Sequence, residues 1–140
     1  MAIRFFSDDI LFCLKNKRKI SNWLKDVANV ENKQTGDLSY VFVTDEKILD
    51  MNRKYLKHDY YTDIITFDNS PSVSKISGEM YISIETVEQN ANEYGVDFEN
   101  ELLRVIVHGL LHLCGYRDDT EESEKMMRQK ETGYIKLFTV

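Results

Sequence analysis

The sequence predicts an α+β fold with α/β-like layers: about four strands in a mixed sheet, packed with about five helices. Two observations carry this. Short runs rich in β-branched and aromatic residues alternate with longer runs whose apolar residues recur every three or four positions. Polar, Gly-, Asn- and Asp-containing breaks separate the runs, with no repeat, no low-complexity segment and no linker.

In chain order, residues 2–6 (AIRFF) read as a strand. Residues 17–29 place Ile20, Trp23, Leu24 and Val27 on one helical face, and the polar stretch ENKQTGD ends that helix. Residues 38–44 (LSYVFVT) form the next strand. Asp45 is the expected cap of a helix carrying Ile48, Leu49, Met51, Tyr55 and Leu56. Residues 62–67 (TDIITF) are a third strand, and a loop with the sole proline, Pro71, follows. Residues 78–84 (GEMYISI) are a fourth strand. A helix from about Glu85 stops at Gly95. Asp97 is placed to cap the next helix, which runs through ELLRVIVHGLLHLC to Gly115, and a last helix starts near Thr120.

The 140 residues fit one domain, 1–140. Apolar residues are 42% and charged residues 30%, the balance of a globular chain. No apolar run reaches the roughly 20 residues of a membrane span, and MAIRFFSDDI has no secretory pattern. Cys13 and Cys114 make no disulfide framework, so a reducing cytoplasm is expected. A net charge of −6 argues against a general nucleic-acid coat protein, which relies on basic surface. It does not exclude an enzyme that handles nucleic acid at one local site.

The stretch HGLLHLCGYRDD, 108–119, carries the chemistry. Residues four apart on a helix are offset by roughly 40° and ~6 Å, so His108 and His112 project from one face and can share an ion. They can also be ordinary helix residues. Val105, Ile106, Leu110, Leu111 and Leu113 make the helix apolar nearly all round, hence buried, and buried imidazoles need partners. Zinc peptidases carry a glutamate after the first histidine as general base. Gly109 stands there and cannot take a proton. The longer spacing, His-x3-His-x2-Gly-x2-Asp, still matches the metzincin ligand pattern, so the helix is zincin-like but lacks the peptidase base. A metal in such a cradle can still drive hydrolysis, because it lowers the pKa of its bound water.

HGLLHLCGYRDD is similar to the H-G-x-L-H-L-x-G-Y-D-H signature of the YbeY family of single-strand-specific metallo-endoribonucleases. MNRKYLKHDYYTDIITFD resembles that family's L-N-x-x-Y-R-x-x-D-x-P-T-D-V-L-S-F-P segment, with Asn52, Tyr55, Asp59, Thr62, Asp63 and Phe67 in matching places. SGEMYISIETVEQNA resembles its G-D-I-x-I strand and the helix after it. The resemblance implies one zinc or other divalent ion held by three protein ligands, a hydrolytic water as fourth ligand, and cleavage of single-stranded RNA. The implied substrate is precursor ribosomal RNA near the 3′ end of the small-subunit RNA, with the ribosome or its proteins as partners and no membrane. RNA's own 2′-hydroxyl is the alternative nucleophile, and no residue stands out as a base.

Two departures matter. Asp118 stands where the family has its third histidine, so the expected ligands are His108, His112 and Asp118. Leu56 stands where the family has an arginine. Arg53, Lys57 and Arg117 are candidate phosphate contacts; solvated surface charge is the competing account of Arg53 and Lys57. His58 reads as exposed or RNA-contacting. Asp63 either organises the site or anchors the neighbouring loop. Glu79 either supports a ligand from behind or is the outward residue of a strand. Tyr116 either stacks on a base or packs over Gly115. Asp119 is the expected cap of the last helix. Two other functions fit the same residues: hydrolysis of a different substrate, such as a peptide or small ester, or a ribosome-associated binding factor whose metal is structural.

Overall fold

The computed structural model describes residues 2–57 and 62–139. His58 and Asp59 lie outside the described residues. The elements in order are β1 (Ile3–Ser7), α1 (Lys17–Val30), β2 (Gln34–Val43), α2 (Asp45–Met51), a π-helical turn (Asn52–Leu56), β3 (Ile64–Asp68), β4 (Lys75–Ser83), α3 (Ile84–Tyr94), α4 (Phe98–Leu113) and α5 (Glu121–Thr139). The sheet order is β1-β2-β4-β3, with β3 antiparallel to β4 and the other two pairings parallel. Among the described residues, the chain forms the expected mixed sheet of four strands with five α-helices.

Alternation along β2 sorts its side chains onto two faces. Leu38, Tyr40 and Phe42 join Met80 and Ile82 of β4 in the main core, under α1, α4 and α5. Val43 points the other way and packs with Ile48 and Met51 of α2 and Ile65 of β3. Fully burying each such apolar side chain contributes roughly 1.5–3 kcal/mol. Hydrogen bonds tie the layers at chosen points. The Tyr40 hydroxyl donates to the Ile106 carbonyl at 2.9 Å, fixing α4 on the sheet. The Trp23 indole donates to the Tyr134 carbonyl at 2.8 Å, fixing α1 to α5.

Several boundaries differ from expectation, each for a local reason. β2 begins inside the polar ENKQTGD stretch, because Gln34 and Thr35 pair with Lys75 and Ile76 of β4. Thr44, not Asp45, caps α2: its hydroxyl accepts from the Lys47 amide at 3.3 Å. Asp45 instead accepts from the Ser83 and Thr86 hydroxyls, joining the starts of α2 and α3. Beyond Met51 the helix widens, and the Lys57 amide donates five residues back to the Asn52 carbonyl. Thr120, not Asp119, caps α5, with the Ser123 amide donating to its hydroxyl at 3.0 Å.

Candidate metal centre

The C-terminal half of α4 sets the site. Gly109 faces the sheet: a Cβ there would lie 2.8 Å from Met80 Cγ and 2.9 Å from Ile64 Cδ1. Its missing side chain lets α4 lie close to β3 and β4, and the imidazoles of His108 and His112 emerge beside that contact. The helix ends in a Schellman turn. The Gly115 amide donates to the His112 carbonyl and the Tyr116 amide to the Leu111 carbonyl, both at 3.0 Å. Gly115 takes φ 106°, a region where a side chain is strained. The turn brings the Tyr116 carbonyl under His112 and carries the chain back so that Asp118 meets both histidines.

His108 Nε2 and His112 Nε2 stand 2.9 Å apart. Asp118 Oδ2 lies 3.2 Å from the first and 3.4 Å from the second. Each ring's other nitrogen faces a group that can only accept. His108 Nδ1 meets Glu131 Oε2 at 2.5 Å, and His112 Nδ1 meets the Tyr116 carbonyl at 3.0 Å. Both Nδ1 atoms therefore donate, and in the neutral rings both Nε2 lone pairs point at each other and at a carboxylate oxygen. Three acceptors so placed repel one another unless a positive charge lies among them. Their spacings suit one: bonds of ~2.0–2.1 Å in a tetrahedron separate ligand atoms by roughly 3.3 Å. The donor set therefore fits a divalent ion.

Glu131 of α5 is the residue that sequence reasoning missed. It is buried, 5% exposed, and accepts from Arg104 Nη1 at 3.0 Å as well as from His108. A carboxylate behind a ligating imidazole fixes its tautomer and raises its basicity. Burial alone would lower the His108 pKa, but the hydrogen bond and charge of Glu131, with Asp63 and Asp118, raise it. The available signal was an acid on the apolar stripe of a helix: Glu131 follows Met127 by four residues and precedes Ile135 by four.

Two cavities flank the cluster and share His108, Asp118 and Asp63 as walls. One, about 410 Å³, is lined further by Asn52, Leu56, Thr66 and Leu113. The Thr66 hydroxyl is buried there without a hydrogen-bond partner among the described residues. The other, about 350 Å³, is lined by the acids Glu101, Glu124 and Glu131 with Arg104 and Arg128. Burial pushes the Asp63 carboxyl up, against the pull of His108. Asn90 Nδ2 lies 3.5 Å from it.

The remaining candidates fall elsewhere. Arg53 and Lys57 are exposed on and just after the π-helical turn. Arg117 is exposed and ion-paired with Asp119, so its guanidinium already has an anion. Glu79 is exposed and lines a separate surface cavity with Lys47 and Tyr81, away from the histidines. Tyr116 donates from its hydroxyl to Glu31 Oε1 at 2.7 Å, a packing role rather than an open ring. Among the described residues no helix is long and apolar enough to cross a membrane.

Fold and donor set together define a class: an α+β protein with a metal-type ligand cluster at the end of a helix laid across a mixed sheet. The chain belongs to the endoribonuclease YbeY family, whose model, described as "Endoribonuclease YbeY", matches residues 8–139. It is similar to the endoribonuclease YbeY of Parabacteroides distasonis, 48% identical over 99% of this chain and 96% of the relative. The counterpart in Cytophaga hutchinsonii is 46% identical over 97% and 95%. Among solved structures, a Thermotoga maritima protein determined in solution superposes with a TM-score of 0.67 at 26% identity, covering 98% of this chain and 89% of that one.

Proposed function

We propose that the protein is a cytoplasmic, single-domain, metal-dependent endoribonuclease that cuts single-stranded RNA during ribosomal RNA maturation, near the 3′ end of the small-subunit RNA. His108, His112 and Asp118 hold one ion, zinc by ligand type, with other divalent ions admissible. The observation that carries this reading is the convergence of two Nε2 lone pairs and one carboxylate oxygen within 3.4 Å, on the wall between two cavities.

When bound, the ion supplies Lewis acidity and an activated water. The chain supplies the rest. Glu131 takes the Nδ1 hydrogen bond of His108 and so aims its Nε2; Arg104 holds Glu131 in place. The Tyr116 carbonyl does the same for His112. Asp118 adds a negative charge that an imidazole would not. Leu56, in the place of the family's arginine, gives the larger cavity an apolar wall that suits a base face better than a phosphate. Arg53 and Lys57, on the approach to that cavity, supply cationic surface for the RNA backbone, with the ribosome as the setting. The family relationship supports this reading over hydrolysis of a peptide, and Gly109 argues the same way.

The test is metal analysis of the purified protein, paired with cleavage of single-stranded and duplex RNA with and without a chelator. About one ion per chain and chelator-sensitive cutting of the single strand are expected. Metal-independent cutting, or equal cutting of both RNAs, overturns the reading.

A further inference from the structure

We propose that the 350 Å³ acidic cavity beside His108 is a recognition pocket for a guanine base, placed next to the phosphate that the metal cluster addresses. The proposal rests on the nuclease reading and adds the base it selects. Its starting point is Glu101. This residue is only 4% exposed, yet its carboxyl lines the cavity and makes no hydrogen bond or ion pair with any described residue. A carboxyl that opens onto a cavity from a buried side chain, with no donor beside it, carries a desolvation cost, and burial pushes its pKa up. A ligand bearing N–H groups would relieve that cost.

The surrounding residues narrow the ligand. Asp63, Glu101 and Glu131 make the cavity repel phosphate, so a base enters it and the backbone stays outside. Arg104, one helical turn after Glu101, lines the same space. Two of its nitrogens hold Glu131 and Thr132, and the guanidinium has further N–H groups to give. Val105 and Met127 supply apolar contact for a ring face. Tyr94 stands at the wall with the Arg128 guanidinium 5.9 Å from its ring. A carboxylate and a guanidinium side by side match one base best. Guanine carries two adjacent donors, N1–H and the N2 amino group, beside the acceptors O6 and N7 that arginine reads. Adenine and cytosine pair each donor with an acceptor on that edge, and uracil offers a single donor between two acceptors. The volume is that of an ordinary small-ligand pocket, ample for a purine.

Nucleosides carry no phosphate and so report the pocket alone. Equilibrium dialysis of the full chain against guanosine, inosine and uridine is expected to give guanosine about tenfold tighter than uridine. Inosine, which lacks the amino group, falls between them. Glu101→Gln is expected to bring guanosine down to the uridine level, but the wild-type comparison alone decides. Equal binding of the three overturns the pocket. A parallel cleavage assay uses uridine oligomers with one guanosine, and cuts next to that guanosine place the pocket beside the reacting phosphate. Selective guanosine binding without such a bias overturns that placement and points to a free guanine nucleotide. RNA cutting without guanosine selectivity overturns the pocket and leaves the nuclease reading standing. Guanosine selectivity with no cutting of any RNA does the reverse.

Discussion

Two glutamates, Glu31 and Glu131, anchor two polar clusters that meet α5 at neighbouring positions, one through Lys130 and Tyr134 and the other through Glu131 itself, and only one cluster has an open end. Glu31, just after α1, accepts from the hydroxyls of Tyr116 and Tyr134 and from Lys130. Every donor in that set is aimed at the one carboxylate, and the cluster closes on itself. Burial alone would push the Glu31 carboxyl up, but these hydrogen bonds outweigh it and hold it below the ordinary range. Glu131 accepts from Arg104 and His108. His108 has a second nitrogen, and that nitrogen faces His112 and Asp118. A closed polar cluster fastens helices together; one that ends in a lone pair beside a cavity can hold an ion.

Breaking the open end should have the largest effect. Asp118→Ala, like His108→Ala or His112→Ala, is expected to lose the metal and all measurable RNA cleavage. A full equivalent of metal retained in any of the three, measured by elemental analysis, would remove that residue from the ligand set. Asp118→His keeps a ligand but removes one negative charge. It should still bind zinc and move the pH–rate profile to lower pH; a shift upward contradicts the charge argument.

Glu131→Gln tests the link between the clusters' geometry and the ion. The amide keeps the shape but weakens the pull on the His108 proton. Metal affinity should fall by about 10–100-fold, measured by competition with a chelator, with the fold intact by circular dichroism. Unchanged affinity would make Glu131 a packing residue like Glu31.

Glu31→Gln is the matching change in the closed cluster. It should leave metal content untouched and cost about 1–3 kcal/mol of stability at neutral pH. The Glu31 pKa is lowered in the folded state, so its contribution is present above the unfolded value and is lost as pH falls through the folded one. The gap between wild type and variant should therefore close in acid. A gap that stays constant down to low pH would show that packing, not charge, is lost.

The smallest effect expected is at Glu101, with the opposite sign. Its pKa is raised by burial, then by Asp63. Above the unfolded value near 4.5 the buried carboxyl costs stability, and below it that cost disappears. Glu101→Gln should thus unfold at a slightly higher temperature than wild type at pH 7, with the advantage shrinking as pH falls toward 4.5. A variant less stable at pH 7 would show that the carboxylate is stabilised in place.

The contrast between the two clusters also marks what the sequence could reveal. His108 and His112 were legible because four residues is one helical turn, and Asp118 because a glycine turn returns the chain at a fixed distance. Those are local rules. The strands and helices were legible for the same reason, from period and turn residues. Glu131 lies 23 residues from the imidazole it serves, and Glu31 lies 85 from Tyr116. Such pairs are made by helix packing, which no local period encodes. The order β1-β2-β4-β3 is likewise a product of how the chain returns through α1 after β1 and through α2 after β2. The two misplaced caps arose where neighbouring residues, Thr44 with Asp45 and Asp119 with Thr120, both accept hydrogen bonds: Asp45 is taken by Ser83 and Thr86 from a distant element, and Asp119 by Arg117 two residues back.

Gly109 also restricts the chemistry open to the helix. A peptidase built on this helix spacing needs a glutamate in that place. Here the place looks into Met80 and Ile64 at contact closer than a Cβ tolerates. A glutamate would drive a charge into an apolar floor before it could reach any substrate. Gly109→Glu therefore cannot place its carboxylate beside the ligands unless Met80 and Ile64 first give way. Packing beneath the helix, as well as the ligands above it, thus limits which catalytic groups the metal helix can carry.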